Sequence, residues 1–139
     1  MKLALQLLGV FGFAVLVAGG NFLWGPEPPP WRAVLPSGHV EIETVMGWSE
    51  EPLWVDAREP TAFNRGHVPG AVNLEPADLD ANVGELIAQW TPGRAIVVYC
   101  SAECDAAAEV AGRLRNEFAM EQVWVLSGGW SAWKSASQP

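Results

Sequence analysis

The chain has 139 residues, half of them hydrophobic, and its sixteen acidic residues against eight basic ones give a net charge of −8. That balance excludes nucleic acid as an expected partner, because a phosphate backbone is held by a surplus of Lys and Arg. Setting aside a hydrophobic leader and a proline-rich spacer leaves about 100 residues, enough for one small core.

Residues 3–24, LALQLLGVFGFAVLVAGGNFLW, carry no charge and are long enough to cross a bilayer core of about 30 Å as a helix. Two readings stay open: a transmembrane anchor, with Trp24 and Trp31 at the far interface, or a signal peptide cleaved near the small residues at 17–20. Lys2 leaves the N-terminus in the cytoplasm, so either reading sends the domain to the extracytoplasmic, periplasm-like side. Residues 25–37 begin GPEPPPWRAVLP, an extended semi-rigid spacer, and residues 38–139 form the domain.

Within the domain, residues 40–44 are expected as a short first strand and 53–56 as a second. Pro60 suits a first helical turn, with Phe63 packing inward. Gly66-His67-Val68-Pro69-Gly70 is a turn, and 71–74 a further short strand. Residues 78–90 show helical spacing through Leu79, Val83, Leu86, Ile87 and Trp90, closed by Pro92-Gly93. The run 95–99 suits a strand buried on both faces; 105–118 follows as a helix and 122–126 as the last strand. Gly128-Gly129 supplies a turn, and Trp130 and Trp133 share one face of a closing helix. Strands alternating with helices imply an α/β fold with a small, mostly parallel sheet covered on both faces.

Cys100 falls where a buried strand ends and a helix is about to begin. In such sheets ligands bind beyond the carboxyl ends of the strands, and free amides at a helix start stabilise an anion such as a thiolate. Cys100 is therefore the candidate nucleophile.

The segments Trp54-Val55-Asp56-Ala57-Arg58, Phe63 with Gly66 to Leu74, Val97-Val98-Tyr99-Cys100 and Leu126-Ser127-Gly128-Gly129-Trp130 together resemble a rhodanese-like domain, in order and over nearly the whole chain after the spacer. The resemblance implies a sulfurtransferase in which Cys100 takes up sulfane sulfur as a persulfide and passes it to a thiol or other small nucleophile. It implies a substrate-binding loop of Ser101, Ala102, Glu103, Cys104 and Asp105 whose amides point at the sulfur, with Arg58 next in rank, and it implies no cofactor. The partners expected are a small sulfur donor, a thiol acceptor, the membrane through the N-terminal helix and a possible envelope protein.

Members of that family usually carry Gly, Arg or Lys in the loop, whereas here it holds two carboxylates and no base. Carboxylates facing the sulfur would raise the Cys100 pKa and oppose the helix dipole. Asp105 is expected to cap the following helix and Glu103 to face water. Two competing functions follow. One is a catalytically weak binding module anchored at the membrane; the other is a thiol-disulfide switch between Cys100 and Cys104. The cysteines, His39 and His67 fit no usual zinc spacing, and no metal is expected. His67 is expected as a hydrogen-bonding turn residue, Asp56 with Arg58 as an ion pair, and Trp54, Trp90, Trp124, Trp130 and Trp133 as core or lid residues.

Overall fold

The computed structural model describes residues 38–102 and 105–138. The anchor and the spacer expected in the first 37 residues lie outside that range. Among the described residues no helix is long and apolar enough to cross a membrane.

Five strands make one sheet in the order β1-β5-β4-β2-β3, every printed pairing parallel. They are β1 His39–Val40, β2 Leu53–Asp56, β3 Val72–Asn73, β4 Ile96–Tyr99 and β5 Val123–Leu126. The helices are α1 Ile42–Met46, α2 Pro60–Arg65, α3 Leu79–Gln89, α4 Ala106–Asn116 and α5 Gly129–Ser137, with a 3-10 turn at Pro76–Asp78.

Side chains alternate across a strand, so each strand feeds two cores. Leu53, Val55, Ile96, Val98, Val123 and Val125 pack against Leu79, Val83 and Leu86 of α3 and Val110, Ala111 and Leu114 of α4. Trp54, Val97, Tyr99 and Leu126 face the other way, onto Ile42 and Val45 of α1 and Trp130 and Trp133 of α5. Both faces are covered, which is why β2 and β4 are buried at every position. An isolated eleven-residue helix is marginal in water, and α4 also carries Gly112. Burying Val110 and Leu114 at roughly 1.5–3 kcal/mol each holds it, rather than its propensity.

The beginning of the domain departs from expectation. Only His39 and Val40 pair with β5, and residues 42–46 turn into α1 instead of extending the strand. Ile42 and Val45, three apart, both bury against the sheet in the helical form. The 78–90 helix begins at Leu79 after the 3-10 turn, and Ile87, expected inward, is 46% exposed. Pro60 does open α2, but that helix buries no residue: Phe63 is half-buried and stacks on His67, with ring centroids 3.8 Å apart.

Candidate active site

The central strand β4 delivers Cys100 to the carboxyl edge of the sheet, 5% exposed. Its carbonyl accepts a 2.7 Å hydrogen bond from the Trp130 backbone N–H in the first turn of α5. That approach requires glycine at two positions. Gly128 and Gly129 have φ of +70° and +50°, and a Cβ on Gly129 would overlap the Cys100 carbonyl and lie 2.9 Å from the Ser101 carbonyl oxygen. The twin glycine is therefore a close backbone contact that fixes where β4 ends.

Cys100 is disulfide-bonded. Its Sγ lies 3.9 Å from the Ser101 hydroxyl oxygen. Glu103 and Cys104, two of the five residues expected to form the loop, lie outside the described residues. Ser101, Ala102 and Asp105 are all exposed. Asp105 precedes α4, yet makes no side-chain hydrogen bond to the helix, so the capping role expected for it is not present.

The Cys100 site opens into a cleft of about 530 Å³ lined also by Arg58, Glu59, Arg65, Glu75, Ser101 and Ala106. Ala106 is the first residue of α4, so the amino end of that helix reaches the same cleft as the cysteine. Among the described residues no group of three His, Cys, Asp or Glu side chains could hold a metal.

Arg58 reaches the cleft but is heavily committed. The guanidinium grips the fully buried Asp56 carboxylate through Nε at 2.9 Å and 3.1 Å and Nη2 at 2.5 Å, and Nη2 also donates to the Gly66 carbonyl at 2.7 Å. Its central carbon lies 4.8 Å from the Trp130 ring centroid and 5.7 Å from that of Tyr99. The hydrogen bond to Asp56 holds its pKa above the ordinary arginine value. The expected ion pair is thus real, and it joins β2, the turn after α2, and α5. Asn73 completes the clamp by donating from Nδ2 to the Asp56 and Arg58 carbonyls at 2.9 and 2.8 Å.

Behind the clamp Tyr99 is fully buried, and its hydroxyl accepts the Val68 N–H at 3.0 Å. Burial pushes its phenol well above the usual tyrosine range. Tyr99 stacks on Trp130 and Trp130 on Trp133, with centroids 6.1 and 5.1 Å apart. Trp54 is buried and Trp90, Trp124, Trp130 and Trp133 are half-buried against the two cores, as expected of core residues. The His67 ring Nδ1 is 3.0 Å from the Phe63 carbonyl oxygen, a turn-fixing contact rather than a cleft contact.

Sequence reasoning did not single out Arg65, Glu59 or Glu75. Arg65 is exposed at the end of α2 and makes no ion pair with a described residue. Glu59 accepts from the Thr61 hydroxyl at 2.8 Å, and neither it nor Glu75 is ion-paired to a described residue. A separate cleft of about 320 Å³, lined by Trp48, Ser49, Glu50, Glu51 and Trp124 at the amino ends of the strands, contains no cysteine.

Residues 42–136 match the family described as Rhodanese-like domain. The chain is 34% identical over 83 residues to the thiosulfate sulfurtransferase GlpE of Shewanella oneidensis, covering 60% of this chain and 76% of that protein. It is 32% identical over 91 residues to YibN of Escherichia coli, covering 65% of this chain and 61% of that protein. Among solved structures, the Alr3790 protein of Anabaena superposes with a TM-score of 0.56 at 27% identity, over 72% of this chain and 79% of that one.

Proposed function

Because the chain belongs to the rhodanese-like domain family, we propose that it is a sulfurtransferase moving sulfane sulfur through a persulfide on Cys100 to a thiol or other small nucleophile. The observation carrying this reading is the position of Cys100: the carboxyl end of the central strand, in the wall of an open cleft that the start of α4 also reaches. The similarity to a named thiosulfate sulfurtransferase supports the reaction class.

A small thiol first releases Cys100 from its disulfide, two equivalents giving up two electrons and leaving as their own disulfide. The Cys100 thiolate then attacks the outer sulfur of the donor. A new S–S bond forms on Cys100 as the donor's S–S bond breaks, and thiosulfate in this step leaves as sulfite. An acceptor thiolate attacks the outer persulfide sulfur and restores the Cys100 thiolate.

We place this domain on the extracytoplasmic side, tethered by the uncharged leader or released there by its cleavage, with an envelope protein as a possible acceptor. An oxidising compartment suits a disulfide-bonded Cys100. Treating the reduced protein with thiosulfate, polysulfide or mercaptopyruvate should add the mass of one sulfur to Cys100, and Cys100→Ala should abolish the gain. No gain with any donor would remove the proposal.

The disulfide state of Cys100 favours one second reading, a thiol-disulfide switch. Thiol counting on protein purified without reductant separates the two: two free thiols under oxidising conditions exclude a stable bridge.

A further inference from the structure

The charges around Cys100 do not suit an inorganic dianion. Thiosulfate needs converging cations, yet Arg58 is bound to Asp56, the Gly66 carbonyl and the Trp130 face, and the sequence of residues 101–105 contains no base. Among the described residues of the cleft wall this leaves one guanidinium without an ion pair, Arg65, beside two carboxylates without one, Glu59 and Glu75. A ligand carrying both a carboxylate and an ammonium matches that pattern. The first would take Arg65 in a forked pair and the second would lie by Glu59 and Glu75, while a dianion meets one attraction and two repulsions.

Volume points the same way. A cleft of about 530 Å³ falls in the range typical of organic ligands, whereas a thiosulfate ion has only a handful of heavy atoms and would leave most of it to water.

We propose that the Cys100 cleft selects zwitterionic, amino-acid-type sulfur carriers such as cysteine persulfide over thiosulfate, with Arg65 reading the carboxylate and Glu59 and Glu75 the ammonium. The inference rests on the proposed sulfurtransferase reading and names its substrate class. In the loading step the Cys100 thiolate attacks the terminal sulfur of R–S–SH, the donor's S–S bond breaks, and R–S⁻ leaves, so that Cys100–S–SH forms with atoms and charge balanced. The thiolate requires prior reduction of the Cys100 disulfide by a small thiol, as above.

The test is the second-order rate of sulfur loading onto the reduced full-length protein, followed by mass. The donors are thiosulfate, cysteine persulfide, its N-acetyl form and its methyl ester. Each rate is divided by that of the same donor with a free small thiol, which removes the effect of the leaving thiol's pKa, so that the remaining differences report recognition. Blocking either charge should slow loading by about tenfold, the scale of one charge-assisted contact at a partly exposed site. Arg65→Gln should erase the penalty for the ester while keeping that for the N-acetyl form, and Arg65→Lys should restore part of it. Glu59→Gln with Glu75→Gln should do the reverse and speed loading from thiosulfate.

Equal normalised rates for the parent and both blocked persulfides overturn this inference and leave the sulfurtransferase reading intact. Equal slowing of every donor by Arg65→Gln also overturns it. Failure of every donor to load sulfur removes both readings together.

Discussion

Replacing Gly129 by Ala tests whether the twin glycine is a mere turn or the contact that sets the nucleophile. The new Cβ would collide with the Cys100 carbonyl, and the 2.7 Å hydrogen bond from Trp130 N–H to that oxygen would stretch or break. A side chain at φ +50° costs about 1–2 kcal/mol, overpacking about 1–3, and the hydrogen bond about 1. A total near 3–6 kcal/mol is a large part of the roughly 5–15 kcal/mol of a small domain. Gly128→Ala is the control: its φ is +70°, but its Cβ would meet only Ala132, at 3.1 Å, so backbone strain of about 1–2 kcal/mol dominates. Urea unfolding should separate the two variants by about 2 kcal/mol or more. Sulfur loading on Cys100, measured where both remain folded, should fall for Gly129→Ala beyond any change in Gly128→Ala. Equal unfolding midpoints and equal loading would refute the assignment of Gly129 as the residue that positions Cys100.

The Asp56–Arg58 pair makes a second prediction: Asp56→Ala leaves a guanidinium that is 9% exposed without its carboxylate, and should cost about 3–5 kcal/mol by denaturant unfolding. Asp56→Leu with Arg58→Met should recover much of that loss, and a double variant as unstable as the single one would contradict the ion-pair account. Tyr99 predicts the alkaline limb. Burial raises its folded pKa above the unfolded value near 10, so the folded state holds the proton longer, and stability falls as pH rises past about 10 by up to 1.4 kcal/mol per pH unit. Tyr99 is the only tyrosine in the chain, so its phenolate absorbance reports the titration directly, and Tyr99→Phe should flatten that slope. An unshifted absorbance titration near pH 10 would count against the buried placement.

What the sequence disclosed depended on how local the determinant was. Strands β2, β4 and β5 could be located almost to the residue, since apolar runs bounded by polar or turn residues admit few other packings. Residues 40–44 read as a strand because Val40, Ile42 and Thr44 alternate like one, while Ile42 and Val45 equally define a helical face. Only the short stretch of β5 available for pairing decides between them. Cys100 and the Asp56–Arg58 pair were visible, because each sits at a strand end and carries its chemistry in one or two adjacent residues. Arg65, Glu59 and Glu75 had no such signal: three separate points of the chain meet on one cleft wall only once α2 and the 3-10 turn have folded beside Cys100.

If Arg65 reads the donor as proposed, the division between it and Arg58 would let one scaffold change what it accepts. Arg58 holds Asp56, Gly66 O and the Trp130 face at once, so altering it loosens β2, the turn after α2, and α5 together, and through Trp130 the carbonyl of Cys100. Such a residue can shape a crevice but has little freedom to follow a new ligand. Arg65 and Glu59 stand at the two ends of α2, a helix that buries none of its residues, so their replacement leaves both cores untouched. Surface changes of that kind usually shift stability by less than about 0.5 kcal/mol. Recognition charge placed on α2 can therefore diverge while the sheet, the ion-pair clamp and the twin glycine keep the sulfur where it is.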